Sequence, residues 1–311
     1  MGRFDVTVVG ELNLDLILYG LPDELEPERE HLAQSLSLTL GSSSAIFAHN
    51  LSVMGSRVGF ISRIGEDDFG RIALQRLSSS GVDVSKVITA RGPTSTGLTV
   101  ILPRRGYRNI LTYAGTMFEM SFDDLDLDYL ASSRHFHLSS FFLHRALRPR
   151  IGELFRLMKQ AGLTTSLDTN DDPGDAWGRD LHDVLRFVDL FLPNERELMK
   201  IAECGDVESA VSRVAAMVHT LAVKLGKQGA VAVRGAERVE SPAVVLDVVD
   251  PVGAGDSFDA GFIHQFVRGA DLAVCLAHGN LAGALSTTRP GGTEAFRDRS
   301  WQEEFFKKHG A

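Results

Sequence analysis

The sequence has too few cysteines to build a disulfide framework or a structural zinc site. Of its 311 residues only Cys204 and Cys275 are cysteines, and they lie far apart with no Cys-x-x-Cys pair or histidine-rich spacing. Disulfide scaffolds and zinc modules need several such residues at short spacings. Both cysteines are therefore predicted to be ordinary core or surface thiols.

The chain also lacks an excess of positive charge. Lys and Arg total 32 against 41 Asp and Glu, which gives a formal net charge of −9. Nucleic acids and anionic membrane surfaces are bound by clusters of Lys and Arg that this balance does not supply. We expect neither partner, and any anionic ligand must be held by local groups.

No apolar run is long enough to cross a membrane, and residues 1–10 contain no apolar stretch followed by a small-residue cleavage site. With 44% hydrophobic and 23% charged residues, the composition is that of an ordinary globular protein able to bury a full core. We expect a cytoplasmic protein.

Short β-rich runs alternate with helical patterns along most of the chain. This order predicts a three-layer α/β/α fold, in which helices cover both faces of a mostly parallel central sheet. The predicted strands are residues 5–9, 57–61, 134–139, 164–168, 190–193, 221–224 and 229–234. No repeat, low-complexity segment or linker interrupts the pattern, so residues 1–311 are expected to form a single domain.

A different sequence pattern lies between the second and third predicted strands. Residues 96–103 and 107–114 are two alternating runs on either side of the turn Arg104-Arg105-Gly106, which is typical of an antiparallel hairpin. Similar runs at residues 12–19 and 33–40 could join this hairpin over the carboxyl edge of the main sheet, where open α/β sheets bind ligands. We predict a small β-sheet lid formed by approximately residues 12–40 and 92–116.

The sharpest local motif is Asp-Pro-Val-Gly-Ala-Gly-Asp at residues 250–256, which follows a β-rich run at 244–249 and leads into a helical pattern. Gly253 and Gly255 let the backbone turn tightly and approach a ligand closely. The start of the helix offers unpaired N–H groups and a positive dipole end. The motif therefore predicts an anion site at Gly253, Ala254 and Gly255.

Asp256 ends this motif and has two interpretations. It could accept a proton from an attacking hydroxyl while the neighbouring N–H groups stabilise charge on a phosphoryl group. It could instead be the N-cap of the helix, the commonest role of Asp at such a place. Neither a Walker A loop nor a dinucleotide-binding glycine fingerprint occurs in the sequence, so the sequence indicates neither of those nucleotide folds.

Other polar residues have both functional and structural interpretations. Glu197 could hold Mg²⁺ through water, with Asn194 near the phosphates, or the two residues could form a capping box. The turn at 224–229 could contact a nucleotide or close a hairpin. Asn13 and Asp15 leave one face of an extended segment and could bind sugar hydroxyls or water.

Three histidines lie close together in the sequence, but their spacing does not indicate a metal site. His135 and His137 alternate within an apolar run, and His144 follows, but no carboxylate or thiol completes a ligand set. We expect histidines whose ring nitrogens are satisfied by structural hydrogen bonds.

Taken together, these segments resemble the ribokinase-like (PfkB) carbohydrate kinases along essentially the whole chain. Residues 250–256 match the family's carboxyl-terminal signature, residues 193–197 match its Asn-x-x-Glu motif, and residues 63–70 with 81–83 look like the stretch after its second strand. The resemblance implies phosphorylation of a hydroxyl on a small carbohydrate by ATP with Mg²⁺. It also implies Asp256 as catalytic base and a lid that pairs with its twin in a homodimer, and it leaves open whether a monovalent cation such as K⁺ binds near Asp250.

The resemblance also assigns binding residues. The sugar is expected at Asn13, Asp15, Gly41 and Ser42, and Glu197 is expected near Mg²⁺. The nucleotide is expected at Asp168, Asn170, Asn194, Lys224, Gly226, Gly229 and Asn280.

Departures from the family pattern concern the substrate. Ser42 replaces the second glycine of the amino-terminal signature, and Ile46 stands where the family has a sugar-contacting amide. Residues 141–143 hold no Glu of the kind that ribokinases use, which disfavours ribose. Asp172 stands where ketodeoxygluconate kinases carry an Arg, so a sugar acid would need another cation, such as Arg104, Arg105 or Arg108.

Two alternatives stay open. A nucleoside kinase of the same fold would use aromatic stacking in the lid, for which Tyr107 and Tyr113 are available. A non-catalytic sugar sensor would be expected to have lost Asp256 or the glycine turn, and both are present.

Overall fold

The computed structural model describes residues 2–104 and 107–310, so Arg105 and Gly106 of the predicted hairpin turn lie outside the described residues. Its strands are β1 (Val6–Val9), β2 (Leu14–Tyr19), β3 (Ser35–Leu40), β4 (Val58–Gly65), β5 (Asp83–Ala90), β6 (Leu98–Arg104), β7 (Tyr107–Tyr113), β8 (His135–Leu138), β9 (Thr164–Leu167), β10 (Leu190–Phe191), β11 (Thr220–Lys224), β12 (Ala230–Arg234) and β13 (Glu237–Ser241). Its α-helices are α1 (Ser43–Val53), α2 (Asp68–Ser79), α3 (Leu127–Ala131), α4 (Ile151–Gln160), α5 (Arg179–Leu185), α6 (Glu195–Ala202), α7 (Val207–Ala215), α8 (Ala254–Phe266), α9 (Leu272–Ser286), α10 (Glu294–Arg297) and α11 (Arg299–His309).

The main sheet has the strand order β13-β12-β11-β10-β9-β8-β1-β4-β5. It is parallel from β11 to β5, whereas β12 and β13 add antiparallel strands at one edge. Every residue of β1 is buried, as expected for a central parallel strand covered on both faces. One hydrophobic cluster includes residues of α4, α6 and α7, and another includes residues of α1, α2, α8 and α9. The predicted three-layer α/β/α class is confirmed.

A separate sheet joins the four segments that the sequence assigned to a lid, in the order β3-β2-β6-β7. Strands β6 and β7 form the predicted antiparallel hairpin, while β2 pairs with β6 in parallel. On one face of this sheet, Ile17 and Ile101 pack with Val252 of the glycine motif. Strand alternation places Asp15, Thr99 and Thr112 on that same inner face.

Two features of the main sheet differ from the sequence interpretation. Strands β5 and β13 were not anticipated, and residues 242–249 contain no strand although their valines predicted one. Val245 in this segment is 93% exposed. Because β-propensity reflects packing on a half-buried sheet surface, a valine-rich segment without a pairing partner gains little from it. The glycine motif therefore follows an irregular segment instead of a strand.

Across the described residues, none of the helices combines the length and the apolar character needed to cross a membrane.

Candidate active site

The first turn of α8 carries the predicted anion site. Gly253 is its N-cap and has φ of +75°, and a Cβ there would lie 2.5 Å from the Cα of Gly292. Only glycine fits this conformation and this close approach. Ala254 N–H donates to the Pro251 carbonyl at 3.3 Å, whereas the N–H groups of Gly255 and Asp256 have no acceptor among the described residues. Two donors are therefore free for an anion.

Gly255 differs from Gly253. It lies within the helix, and a Cβ there would come no closer than 3.7 Å to another side chain, the nearest atom being Lys224 Nζ. The expectation that both glycines are needed for the turn is wrong for Gly255. Its missing side chain instead keeps the approach to the free N–H groups open.

Asp256 is the third residue of α8, because the helix starts at Ala254, so it is not the N-cap. The alternative in which Asp256 is only a cap is wrong, since Gly253 holds that position. Burial, together with the negative charge of Asp168, raises the pKa of Asp256 to about 7, although Lys224 opposes the shift. A carboxyl group with this pKa matches the demands of a general base near neutral pH.

Asp250, at the start of the motif, ties three segments together. Its Oδ1 accepts from the Val252 N–H at 3.0 Å. Its Oδ2 accepts from the Gly291 N–H at 2.9 Å and from the Tyr19 hydroxyl at 2.8 Å. The buried carboxylate thus fixes the turn that leads into the anion site.

The predicted sugar residues Asn13, Asp15 and Gly41 lie together beside this turn. The Gly41 N–H donates to the Asn13 carbonyl at 2.9 Å, and a Cβ on Gly41 would overlap the Asp15 carboxylate. Asn13 Oδ1 is buried without a hydrogen-bond partner among the described residues. Burial and the charges of Asp256 and Asp250 raise the pKa of Asp15 to about 7. An orphaned amide oxygen and a carboxyl near Asp256 are groups that sugar hydroxyls could satisfy.

Ser42, also predicted to touch the sugar, already has a partner. Its backbone has φ of +61°, and its hydroxyl donates to the Glu11 carbonyl at 2.8 Å. The Glu11 carboxylate, which the sequence analysis did not single out, accepts from Ser44 Oγ at 2.8 Å and from Ser140 Oγ at 2.6 Å. This buried network supports the turn that contains Gly41.

A pocket of about 780 Å³ adjoins the first turn of α8 on the other side. Of the predicted nucleotide residues it is lined by Lys224, Gly226, Gly229 and Asn280, along with Ala254 and Gly255 of the anion site. The small residues Gly283 and Ala284 of α9 leave room in it. The side-chain amide of Asn280 donates to the Ser241 and Pro242 carbonyls, which holds the segment after β13 at the pocket edge.

The remaining predicted nucleotide residues do not line this pocket. Asn170 donates to Ser140 Oγ at 2.9 Å, which places it in the Glu11 network. Asn194 caps α6, and Asn194 with Glu197 forms the capping box that the sequence offered as the structural alternative. Burial and the charge of Asp168 raise the pKa of Glu197 to about 7.

Asp168 pairs with Lys224, whose Nζ also contacts Asp259. The contact to Asp259 was missed, because only the fold brings β11 and α8 together. Burial alone would lower the pKa of Lys224, but the two carboxylates raise it above its ordinary value.

The three histidines each have a hydrogen-bond partner, but the expectation that all their ring nitrogens are satisfied is wrong for His144, whose Nδ1 is buried without a partner among the described residues. His135 Nε2 and His137 Nδ1 both contact Ser166 Oγ at 2.7 Å, and His144 Nε2 lies 3.0 Å from the Ser139 carbonyl. Burial lowers the pKa of His135 and of His137 to about 3, so both rings are neutral.

Comparison with known proteins decides the family. The profile described as pfkB family carbohydrate kinase matches residues 3–299. The chain belongs to the pfkB family. The prediction of an ATP-dependent sugar kinase is thereby confirmed at the level of the family.

The relatives of this pfkB chain differ in substrate. It is 30% identical to an ATP-dependent ribose-1-phosphate kinase of Halopiger xanaduensis, over 93% of this chain and 94% of that protein. It is 29% identical to a 2-dehydro-3-deoxygluconokinase of Bacillus subtilis, over 86% of this chain and 87% of that protein. A solved structure of a ribokinase II candidate from E. coli, in complex with ATP and Mg²⁺, superposes with a TM-score of 0.85 at 25% identity, over 98% of this chain and 100% of that one.

Proposed function

We propose that this protein transfers the γ-phosphoryl group of ATP to a hydroxyl of a small carbohydrate, with Asp256 as the base. The observation that carries the proposal is the first turn of α8. There, two N–H groups without an acceptor in the described part of the chain lie beside a carboxyl group whose pKa is raised to about 7. The turn lies between a pocket of about 780 Å³ and the pair Asn13 and Asp15.

The chemistry follows from these positions. Asp256 accepts the proton of the attacking sugar hydroxyl as the oxygen bonds to the γ-phosphorus and the bond to the β-phosphate oxygen breaks. The N–H groups of Gly255 and Asp256 stabilise the charge on the transferred group. ADP leaves with the electron pair of the broken bond, and the sugar phosphate is the product.

ATP fits the large pocket, because one end of the pocket is lined by Lys224 and by residues of the anion site, which could hold the phosphates. The bound ATP and Mg²⁺ of the ribokinase II candidate support the same ligands here. Both Glu197 oxygens already accept hydrogen bonds from Asn194, so we assign Glu197 a contact to Mg²⁺ through water. The ion itself would neutralise charge on the phosphates.

A sugar acid is the acceptor that the inner face of the small sheet favours. Arg108 and Thr112 are four residues apart in β7, so their side chains lie on the same face of the sheet. Thr112 pairs with Thr99 of β6, and Thr99 pairs with Asp15 of β2, so all of these side chains share that face. The positive charge of Arg108 lowers the pKa of Asp15, against the burial that raises it. The similarity to a 2-dehydro-3-deoxygluconokinase supports an anionic sugar.

A nucleoside acceptor has less support. Tyr107 is next to Arg108 in β7, and Tyr113 is next to Thr112. Because successive side chains of a strand point to opposite faces, both tyrosines lie on the outer face of the sheet. Both are more than half exposed. Neither ring is placed to stack on a base held beside Asp15.

We also propose that the small sheet is a lid and that it pairs with its twin in a homodimer. Leu36, Leu111 and Tyr113 on the outer face are 67%, 58% and 55% exposed, which supports a partner surface. Light scattering should give a dimer, and Leu111→Glu should give a monomer; a monomeric wild type would refute the pairing.

The lid has its own test. Sugar binding should slow hydrogen exchange in β6 and β7, and unchanged exchange would refute the lid.

An ADP-release screen over sugars, sugar acids and nucleosides tests the main proposal. We expect turnover with a sugar acid or a neutral sugar, and Asp256→Asn should abolish most of it. Arg108→Met should raise the KM of an acid acceptor far more than that of a neutral one. Turnover confined to nucleosides would contradict the proposal. Repeating the assay in KCl and in choline chloride tests for a monovalent cation near Asp250.

A further inference from the structure

An ion cluster lies under the first turn of α8. The Lys224 ammonium is 2.8 Å from Asp168 Oδ2 and 3.1 and 3.2 Å from the two oxygens of Asp259. The side chains of both aspartates are 1% exposed and that of Lys224 is 12% exposed. Lys224 lines the large pocket, so the exposed end of this cluster faces the space where we place the nucleotide.

The cluster lies next to the anion site. A Cβ on Gly255 would be 3.7 Å from Lys224 Nζ, so the ammonium is close to one of the two free N–H groups. Asp259 follows Asp256 by three residues on α8 and therefore lies about one turn along the same side of the helix. A phosphate chain at the anion site would meet the ammonium and the N–H groups together.

A lysine side chain has four rotatable bonds and loses conformational entropy when it is fixed. Asp168 alone could hold Lys224, but it would leave the ammonium free to rotate away from α8. Asp259 supplies the second contact from α8 itself, so the ammonium is tied to the helix that carries the anion site.

We propose that Asp259 is a positioning residue that holds the Lys224 ammonium against the phosphate chain of a bound nucleotide. The inference rests on the proposed function, because it requires a nucleotide in this pocket. Burial raises the pKa of Asp259 well above its ordinary value, while that of Asp168 is lowered by Lys224 despite its own burial. Asn at position 259 keeps a side-chain oxygen that can accept a hydrogen bond from the Lys224 ammonium, whereas Leu does not.

The test measures binding of a non-hydrolysable ATP analogue, AMP-PNP with Mg²⁺, by calorimetry on the whole chain. Asp259→Leu should weaken binding by about tenfold or more, whereas Asp259→Asn should stay within about threefold. The loss should be larger for AMP-PNP than for ADP, since the ammonium lies beside the anion site. A merely structural role would not separate the two nucleotides.

Asp189 offers a matched control. Its carboxylate pairs with Lys159 Nζ at 2.7 Å. Asp189 lies at the amino end of the parallel strand β10, whereas Lys224 lies at the carboxyl end of the neighbouring parallel strand β11. Asp189→Leu should lower the melting temperature yet leave AMP-PNP affinity within about twofold, because it removes a Lys–Asp ion pair that does not line the pocket.

A double-mutant cycle completes the test. If Asp259 acts through Lys224, then Lys224→Met with Asp259→Leu should bind AMP-PNP about as weakly as Lys224→Met alone. Additive losses, or full affinity in a folded Asp259→Leu protein, would overturn the inference. Failure of the wild type to bind AMP-PNP would instead refute the nucleotide pocket and the proposed function.

Discussion

The hydroxyl of Tyr19 donates a hydrogen bond of 2.8 Å to Oδ2 of Asp250, although 231 residues separate them in sequence. Tyr19 is the last residue of β2 in the small sheet, and Asp250 begins the turn that leads into the anion site. Burial and the Asp250 charge raise the pKa of Tyr19, so the phenol keeps its proton. The bond therefore connects the small sheet directly to the turn that precedes α8.

Tyr19→Phe removes this connection without changing the shape of the side chain. Because Asp250 keeps its bonds from Val252 and Gly291, the free energy of unfolding should fall by only about 1 kcal/mol. If the connection positions the turn, kcat should fall several-fold while AMP-PNP affinity stays unchanged. Tyr113→Phe, on the outer face of the same sheet, is the control. Equal kcat in the two variants would show that the bond is only structural.

The two glycines of the turn should respond differently to alanine. Gly253→Ala forces a left-handed backbone and a contact with the Gly292 backbone, so it should destabilise the protein by more than about 1 kcal/mol. Gly255→Ala has room and lies in a helix, so the melting temperature should hold or rise. Its methyl group should nevertheless weaken AMP-PNP binding. Loss of stability in both variants would contradict the separate roles.

Asp15→Ala tests the acceptor side of the site. The carboxyl lies beside Gly41 and near Asp256, and it does not line the pocket of about 780 Å³ in which we propose that the nucleotide binds. The variant should raise the KM of the sugar or abolish turnover while AMP-PNP affinity stays nearly constant. Parallel weakening of sugar and nucleotide binding would remove Asp15 from the acceptor pocket.

The pH dependence of kcat/KM should show a base with a raised pKa. Below pH about 7 Asp256 is increasingly protonated and cannot accept a proton, so the rate should fall as pH falls through that value. Asp15 has a similar pKa, which burial and the charge of Asp256 raise; because repulsion between two carboxylates is mutual, the two groups titrate as a pair. In Asp15→Asn, residual activity should show the acidic limb shifted to lower pH. A limb near pH 4 in the wild type would contradict the raised pKa.

Much of the fold was predictable because hydrophobic alternation follows from burial in a sheet. The four segments of the small sheet and the hairpin β6–β7 follow from such patterns alone. Residues 244–249 show the limit of this approach, because their valines face a pocket edge and solvent and not a neighbouring strand.

The site was predictable where local sequence fixes its geometry. The turn of Gly253 and the capping box of Asn194 with Glu197 each depend on neighbouring residues. Asp259 and Glu11 were missed, because their partners Lys224 and Ser140 are brought to them only by tertiary packing. The one available signal for Asp259 was that a charged residue stands on the face of the helical pattern that is predicted to be buried.

The role of Asp256 as base is the central claim, and Asp256→Asn tests it most directly. The variant keeps the shape of the side chain but cannot accept a proton, so kcat should fall by about 10²–10⁴-fold. AMP-PNP affinity and melting temperature should change little, and some residual transfer should remain because the N–H donors of the turn survive. Asp271→Asn, which changes the N-cap of α9, is the matched control and should keep full activity. Measured together, a large loss of kcat in a stable, nucleotide-binding Asp256→Asn protein is the predicted result, and near-normal turnover in that protein would contradict the account.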